Sequence, residues 1–217
     1  MGGAAALRAL IFDLWNTIAE WPHERWAEVR PRVAERFGLS LEEFDSRWYG
    51  GELSDMRATK PLADVLARFD VTPEVAEEVV SLRRDVTRQG LVPVSGAVET
   101  ITALRARGLK TGLITVCSED VALMWPETEF HGLFDVEVFS ATCGLRKPDP
   151  RIYRLALHEL GVEPEEATFV GDGANDELAG AERIGMRAIG VDSPGGELPE
   201  DWDGPRIREL PELLELV

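Results

Sequence analysis

Short apolar runs alternate with helical stripes through the second half of the chain. Residues 7–12, 111–115 and 168–171 are runs of four to six mostly apolar residues, each leading into a polar one, and 136–139 and 188–191 are of the same kind. Uninterrupted apolar runs of this length suit strands of a parallel sheet that is covered on both faces. Between them Val98, Ile101 and Leu104 share one helical face, as do Ile152, Leu155, Ala156 and Leu160. Gly108 and Gly161 follow where those helices would be capped. Strand and helix in alternation over residues 95–191 predict an α/β fold, a Rossmann-like doubly wound parallel sheet.

Residues 20–92 carry no strand-like run. Their apolar positions fall at helical spacing instead: Trp26, Val29, Val33 and Phe37; Leu62, Val65, Leu66 and Phe69; Val75, Val79, Leu82 and Val86. Pro31 is expected to kink or divide the first of these helices. An all-helical block after the first strand reads as an inserted cap, hinged near residues 19–22 and 90–96. The expected division is a core of residues 1–19 and 93–217 and a cap of residues 20–92. Residues 193–204, rich in Gly, Pro and acids, read as a loop, and 210–217 as a short closing helix. The opening residues 1–3, Met-Gly-Gly, read as a disordered tail.

A chain of 217 residues can bury one α/β core with such an insertion. The net charge of −17 argues against nucleic acid or an anionic membrane as a partner, since the summed field repels both. It also means that any anionic substrate needs locally placed cations or a metal ion. Cys117 and Cys143 are too few for a disulfide framework and lack metal-ligand spacing, which suits a reducing cytoplasm. They read as buried apolar thiols. The first apolar run, broken by Arg8 and Asp13, fits neither a signal peptide nor a membrane span. Nothing in the sequence selects between a monomer and a small homo-oligomer.

Ligands of open α/β sheets sit at the carboxyl ends of the strands. The polar residues there are Asp13, Thr115 and Asp172, with Asp176 four residues on, and Lys147 can join from a loop. Asp13 could attack phosphorus and form an aspartyl-phosphate for water to hydrolyse. Asp13 and Asp172 could share Mg2+, Thr115 could donate to a phosphate oxygen, and Lys147 could supply positive charge. Asn16, in the turn after Asp13, is expected at positive φ.

The segments LIFDLWNT (10–17), LITV (113–116), GLRKPDPRIY (144–153) and FVGDGANDELAGAERIGM (169–186) resemble, in order and spacing, the four motifs of the haloacid dehalogenase superfamily. The resemblance implies Asp13 as nucleophile, Thr115 and Lys147 as catalytic and phosphate-binding groups, and Asp172 with Asp176 as holders of Mg2+. It implies the backbone carbonyl of Trp15 as a further metal ligand. The expected activity is a Mg2+-dependent phosphatase acting on a small phosphorylated metabolite.

Two positions depart from that family's pattern. Its phosphatases carry a second Asp two residues after the nucleophile, which protonates the leaving oxygen; this chain has Trp15. General acid catalysis contributes roughly 10²–10⁴-fold, so its loss should weigh most on alkyl esters. Val116 stands where many relatives have Asn, and its N–H can still bind phosphate. An aromatic residue at position 15 also resembles metal-independent 2-haloacid dehalogenases, although Asp172 beside Asp13 would be costly there without a cation. A fold that binds a phosphorylated ligand without turnover is the third reading. In the cap, His23 could replace the missing acid, Arg25 in a basic cluster with Arg30, Arg32 and Arg36 could face the substrate, and Lys60 is the cap's only lysine.

Overall fold

Strand β1 (Ala9–Phe12) is wholly buried and lies at the centre of a six-stranded parallel sheet. Beside it run β2 (Lys110–Thr115) and, beyond that, β3 (Val136–Phe139). On the other flank lie β4 (Ala167–Gly171), β5 (Arg187–Val191) and the two-residue β6 (Arg206–Ile207), giving the order β3-β2-β1-β4-β5-β6. The computed structural model describes residues 5–217; the expected tail at residues 1–3 lies outside them. β6 falls between the expected loop and closing helix, too short to leave an apolar run.

The two-residue period of a strand sends alternate side chains of β1 into different cores. Leu10 and Phe12 pack with Ile101 and Leu104 of α6 (Ala97–Ala106), with Trp125, and with Leu213 of α11 (Leu213–Leu216). Ala9 and Ile11 pack with Ile152, Tyr153 and Leu160 of α9 (Pro150–Leu160) and Leu178 of α10 (Glu177–Glu182). Asp149 caps the start of α9, with Pro150 at its first position, and Gly161 ends it in the left-handed region at φ 65°. Thus both faces of the sheet are covered, as the unbroken apolar runs require.

Residues 23–90 are helical: α1 (His23–Arg36), α2 (Leu41–Tyr49), α3 (Gly51–Thr59), α4 (Leu62–Leu66) and α5 (Pro73–Gly90). They enclose a third core rich in aromatic rings, in which Phe37 stacks on Phe69 at 4.2 Å and Phe44 on Trp48 at 5.2 Å. Pro31 lies inside α1, which runs through it undivided; of the kink or break expected there, the break is absent. α2 and α3 were not among the expected helices, although Leu41, Phe44 and Trp48 share one face of α2. α2 is fixed at its start by a capping box between Ser40 and Glu43, whereas α3 begins at a Gly-Gly pair and buries only Ala58.

Two strands of chain join this block to the sheet. Ala19 bridges Pro93, and the Val94 N–H donates to the Ile18 carbonyl at 2.9 Å. The block also touches the loop and short helix after β2, α7 (Glu119–Met124). There Arg83 of α5 donates to the Ser118 hydroxyl at 2.8 Å and lies 3.6 Å from the buried Asp120 carboxylate. Thr87 donates to the same carboxylate at 2.6 Å. No helix among the described residues is long and apolar enough to cross a membrane.

Candidate active site

Register gathers the polar strand ends. Phe12 aligns with Leu113 on β2 and Val170 on β4, so Asp13, Thr115 and Asp172 all follow within two residues of that level. The Asp13 N–H still donates to the Val170 carbonyl at 2.8 Å, which locks its backbone to the sheet. Lys147 arrives from the loop between α8 (Ser140–Cys143) and α9. Its ammonium is buried and donates both to Asp13 Oδ1 and to Glu177 Oε2. The Phe169 ring lies 5.3 Å beneath it.

Glu177 is the residue that sequence reasoning missed. Fully buried at the start of α10, it accepts from the Gly173 N–H at 3.1 Å with its second oxygen. A Cβ at Gly171 would overlap that carboxylate, so this glycine makes the room Glu177 occupies. Asp176, which the motif implied as a metal holder, is exposed and pairs with Arg183 at 3.0 Å instead. The reason is local: Asn175 and Asp176 both adopt positive φ, at 56° and 54°, before the helix begins. The signal was present in the Asn-Asp pair, since these residues tolerate the left-handed region and delay a helix by one position.

Asp13, Asp172 and Glu177 each offer an oxygen within 4.8 Å of the others. Against three carboxylates there is one ammonium. Burial raises Asp13 above the ordinary Asp value, and the Asp172 charge adds to this while Lys147 opposes it. Burial and then the Asp13 charge push Glu177 well up, and burial likewise raises Asp172. For Lys147, burial alone would favour the neutral amine. The two carboxylates outweigh it and hold the ammonium above the usual lysine range.

This donor set fits a hard divalent cation, which would offset the excess negative charge. Asp13 Oδ2 accepts from no side chain, and the Trp15 carbonyl accepts no hydrogen bond, among the described residues. One Asp172 oxygen accepts from the Ala174 N–H at 3.0 Å, and the other meets only Asn16 Nδ2 at 3.5 Å. Asn16 stands at φ 55°, as expected, and its side chain also donates to the Gly195 carbonyl at 2.9 Å. At the end of β2 the Thr115 hydroxyl is buried without a partner. The next N–H, of Val116, has no acceptor among the described residues. Two donors left open beside a nucleophile-like carboxylate suit an anion such as phosphate.

Next to these groups lies a cavity of about 290 Å³ between the sheet edge and the helical block. Its core side is formed by Trp15, Val116, Cys117, Ser118, Arg146 and Asn175, and its other side includes Trp21, Tyr49 and Arg57. Trp15 packs edge-on to Trp21 at 5.0 Å. Arg146 ties the two sides by donating to Asp55 of α3 and, at 2.9 Å, to Asn175. Burial drives the Cys117 thiol up to about 12. It is therefore buried as expected, whereas Cys143 is only half-buried. A larger cavity of about 790 Å³ is lined by Leu62, Leu66, Val80 and Leu123 among others; no site carboxylate lines either cavity, but only the smaller one is walled by Trp15 and Val116, the neighbours of Asp13 and Thr115.

The candidates from the helical block fall outside the smaller cavity. His23 is exposed, with its imidazole beside Gly195. Arg25 pairs with Glu28 at 2.9 Å, and Lys60 is exposed at the end of α3. Arg30 and Arg36 reach Asp45 and Glu78 on neighbouring helices.

Residues 7–185 match the family model described as haloacid dehalogenase-like hydrolase. Phosphatase MT3486 of Mycobacterium tuberculosis is 31% identical over 202 residues, covering 88% of this chain and 89% of that protein. Among solved structures, a HAD phosphatase from Thermococcus onnurineus superposes with a TM-score of 0.75 at 25% identity, over 97% of each chain. A 2-haloacid dehalogenase from Pseudomonas syringae pv. Tomato superposes with a TM-score of 0.73 at 24% identity, again over 97% of each, and so shares the fold.

Proposed function

Since the chain belongs to the haloacid dehalogenase-like hydrolases, we propose that it is a magnesium-dependent phosphatase of a small phosphorylated metabolite, with Asp13 as nucleophile. Three buried carboxylates around a single buried ammonium are the observation that carries this reading. A metal-free dehalogenase has no use for that surplus of negative charge. Mg2+ held by Asp13, Asp172 and the Trp15 carbonyl would compensate charge on the phosphate and so open it to attack.

In the proposed reaction Lys147 holds Asp13 Oδ1 and leaves Oδ2 to attack phosphorus. The P–O bond to the leaving group breaks as the aspartyl-phosphate forms. Water then attacks the same phosphorus, releasing inorganic phosphate and restoring the carboxylate. Thr115 and the Val116 N–H donate to the phosphoryl oxygens, and Lys147 screens the charge that builds there. Glu177 is a positioning residue that aims Lys147. The helices of residues 20–92 act as the cap that excludes water and bounds the substrate. No acid stands at position 15, and His23 lies outside the cavity, so turnover favours leaving groups that depart without a proton.

Hydrolysis of p-nitrophenyl phosphate tests the reading, with Mg2+, with EDTA, and in the Asp13→Asn variant. Release that requires both Mg2+ and Asp13 is expected. Folded protein that binds Mg2+ but releases nothing would point to a non-catalytic binder, and no Mg2+ binding would turn attention to 2-haloacids.

A further inference from the structure

Three arginines border the smaller cavity, which adjoins the site at Trp15 and Val116, and they are not equivalent. Arg83 is neutralised by Asp120, and Arg146 by Asp55. Arg57, on α3, has no hydrogen-bond or ion-pair partner among the described residues, and its Nε is buried and unsatisfied. Its guanidinium is held in place by aromatic rings alone, 5.1 Å from the Trp48 centroid and 5.2 Å from that of Tyr49. Burial, and then the charge of Arg83, pull its pKa down to about 10, which leaves it a cation at neutral pH. A half-buried charge with an idle planar fork is costly in a chain of net charge −17 that has acids to spare.

On the reading of this site as a phosphatase, we propose that the substrate carries a carboxylate as well as its phosphate, and that Arg57 binds the carboxylate. The charge count selects a carboxylate over a second phosphate. One unpaired cation balances a monoanion, and the two other guanidiniums are already matched. The guanidinium fork suits a planar bidentate partner. A quaternary ammonium is disfavoured although Trp and Tyr rings surround the space, because guanidiniums already lie over Trp48, Tyr49 and Trp26. At about 290 Å³ the cavity sits at the lower edge of the roughly 300–1,000 Å³ typical of small-molecule sites. Trp15 and Trp21 give the carbon frame between the two anionic ends an apolar wall.

The test compares 3-carboxyphenyl phosphate with 3-carbamoylphenyl phosphate. Both have aryl leaving groups and similar shapes, but only one has the second charge. The wild type should favour the carboxylate in kcat/KM by roughly 10- to 100-fold, the range of a charge-assisted hydrogen-bonded pair. Arg57→Gln should bring that ratio to about one through KM, Arg57→Lys should retain part of it, and Arg88→Gln, at an exposed pair on α5, should leave it intact. Equal rates for the two esters in the wild type, or a ratio that survives Arg57→Gln in folded protein, would overturn the proposal. Loss of hydrolysis of all aryl phosphates, p-nitrophenyl phosphate included, would instead strike the phosphatase reading. The same two side chains on phenylphosphonates would then be compared by quenching of tryptophan fluorescence. Tighter binding of the carboxylate that depends on Arg57 supports the proposal, and equal affinity overturns it.

Discussion

Replacing Lys147 by Met removes the one buried cation from the carboxylate cluster while keeping much of the side chain's bulk. Lys147 is in contact with Asp13 and Glu177, and all three are buried. Taking away one partner of a buried ion pair typically costs about 3–5 kcal/mol, because the remaining charge is left uncompensated. Domains of ordinary stability hold only about 5–15 kcal/mol in total. For a chain of this size each kcal/mol moves Tm by roughly 2–4 °C, so the variant should melt about 6–20 °C lower in EDTA. Lys147→Met/Glu177→Met removes one charge of each sign and returns the cluster to its wild-type surplus. It should be more stable than Lys147→Met alone, although the Gly173 N–H loses its acceptor at a cost of about 1–3 kcal/mol. Mg2+ should stabilise Lys147→Met more than the wild type, since an extra uncompensated carboxylate strengthens cation binding and the ligand acts by mass action. The assay is urea or thermal unfolding of the three proteins with EDTA and with Mg2+. A double variant no more stable than Lys147→Met, or a Lys147→Met variant as stable as the wild type, would refute the electrostatic account of this cluster.

Thr115→Val removes a buried hydroxyl that has no partner in the free protein, so stability should change by less than about 1 kcal/mol while kcat/KM on p-nitrophenyl phosphate falls roughly 10-fold or more. A large loss of stability with rates unchanged would assign the hydroxyl a packing role. Trp15→Asp places a carboxyl group where a leaving oxygen could receive a proton, and should raise the alkyl-to-aryl rate ratio, up to roughly 10²-fold or more. His23→Ala should leave that ratio within about 2-fold, and a collapse of the ratio would show that His23 is the acid. Thiol labelling at pH 8 should modify Cys143 and spare Cys117 until the chain is unfolded, because a thiol raised to about 12 is ionised to only about 1 part in 10⁴ there. Rapid labelling of both cysteines would contradict the closed packing around the cavity.

What the sequence made legible follows from where physics leaves a linear trace. A strand buried on both faces must be apolar at consecutive positions, so β1, β2 and β4 could be read to within a residue or two, and the polar residue after each was bound to land at one sheet edge. Asp13, Thr115 and Asp172 came together for that reason. Residues whose role depends on three-dimensional surroundings left no such trace. Glu177 rather than Asp176 faces Asp13 because two successive left-handed residues shift the start of a helix, a local event with global consequence for which carboxylate is buried. Arg57 was invisible for a related reason. α3 has no apolar stripe from which to tell its inner face, so an arginine within it reads like any solvated charge. Attention went instead to Arg25, which is paired with Glu28, and to Lys60, which is exposed. An arginine is distinguished by lacking a partner, and pairing is settled by packing between elements, which periodicity along one element cannot encode. The chemistry common to the family is therefore written at strand ends, where sequence pattern reads well. On the proposed reading, what selects a substrate is written in the helical block, where only the assembled structure separates a paired cation from an idle one.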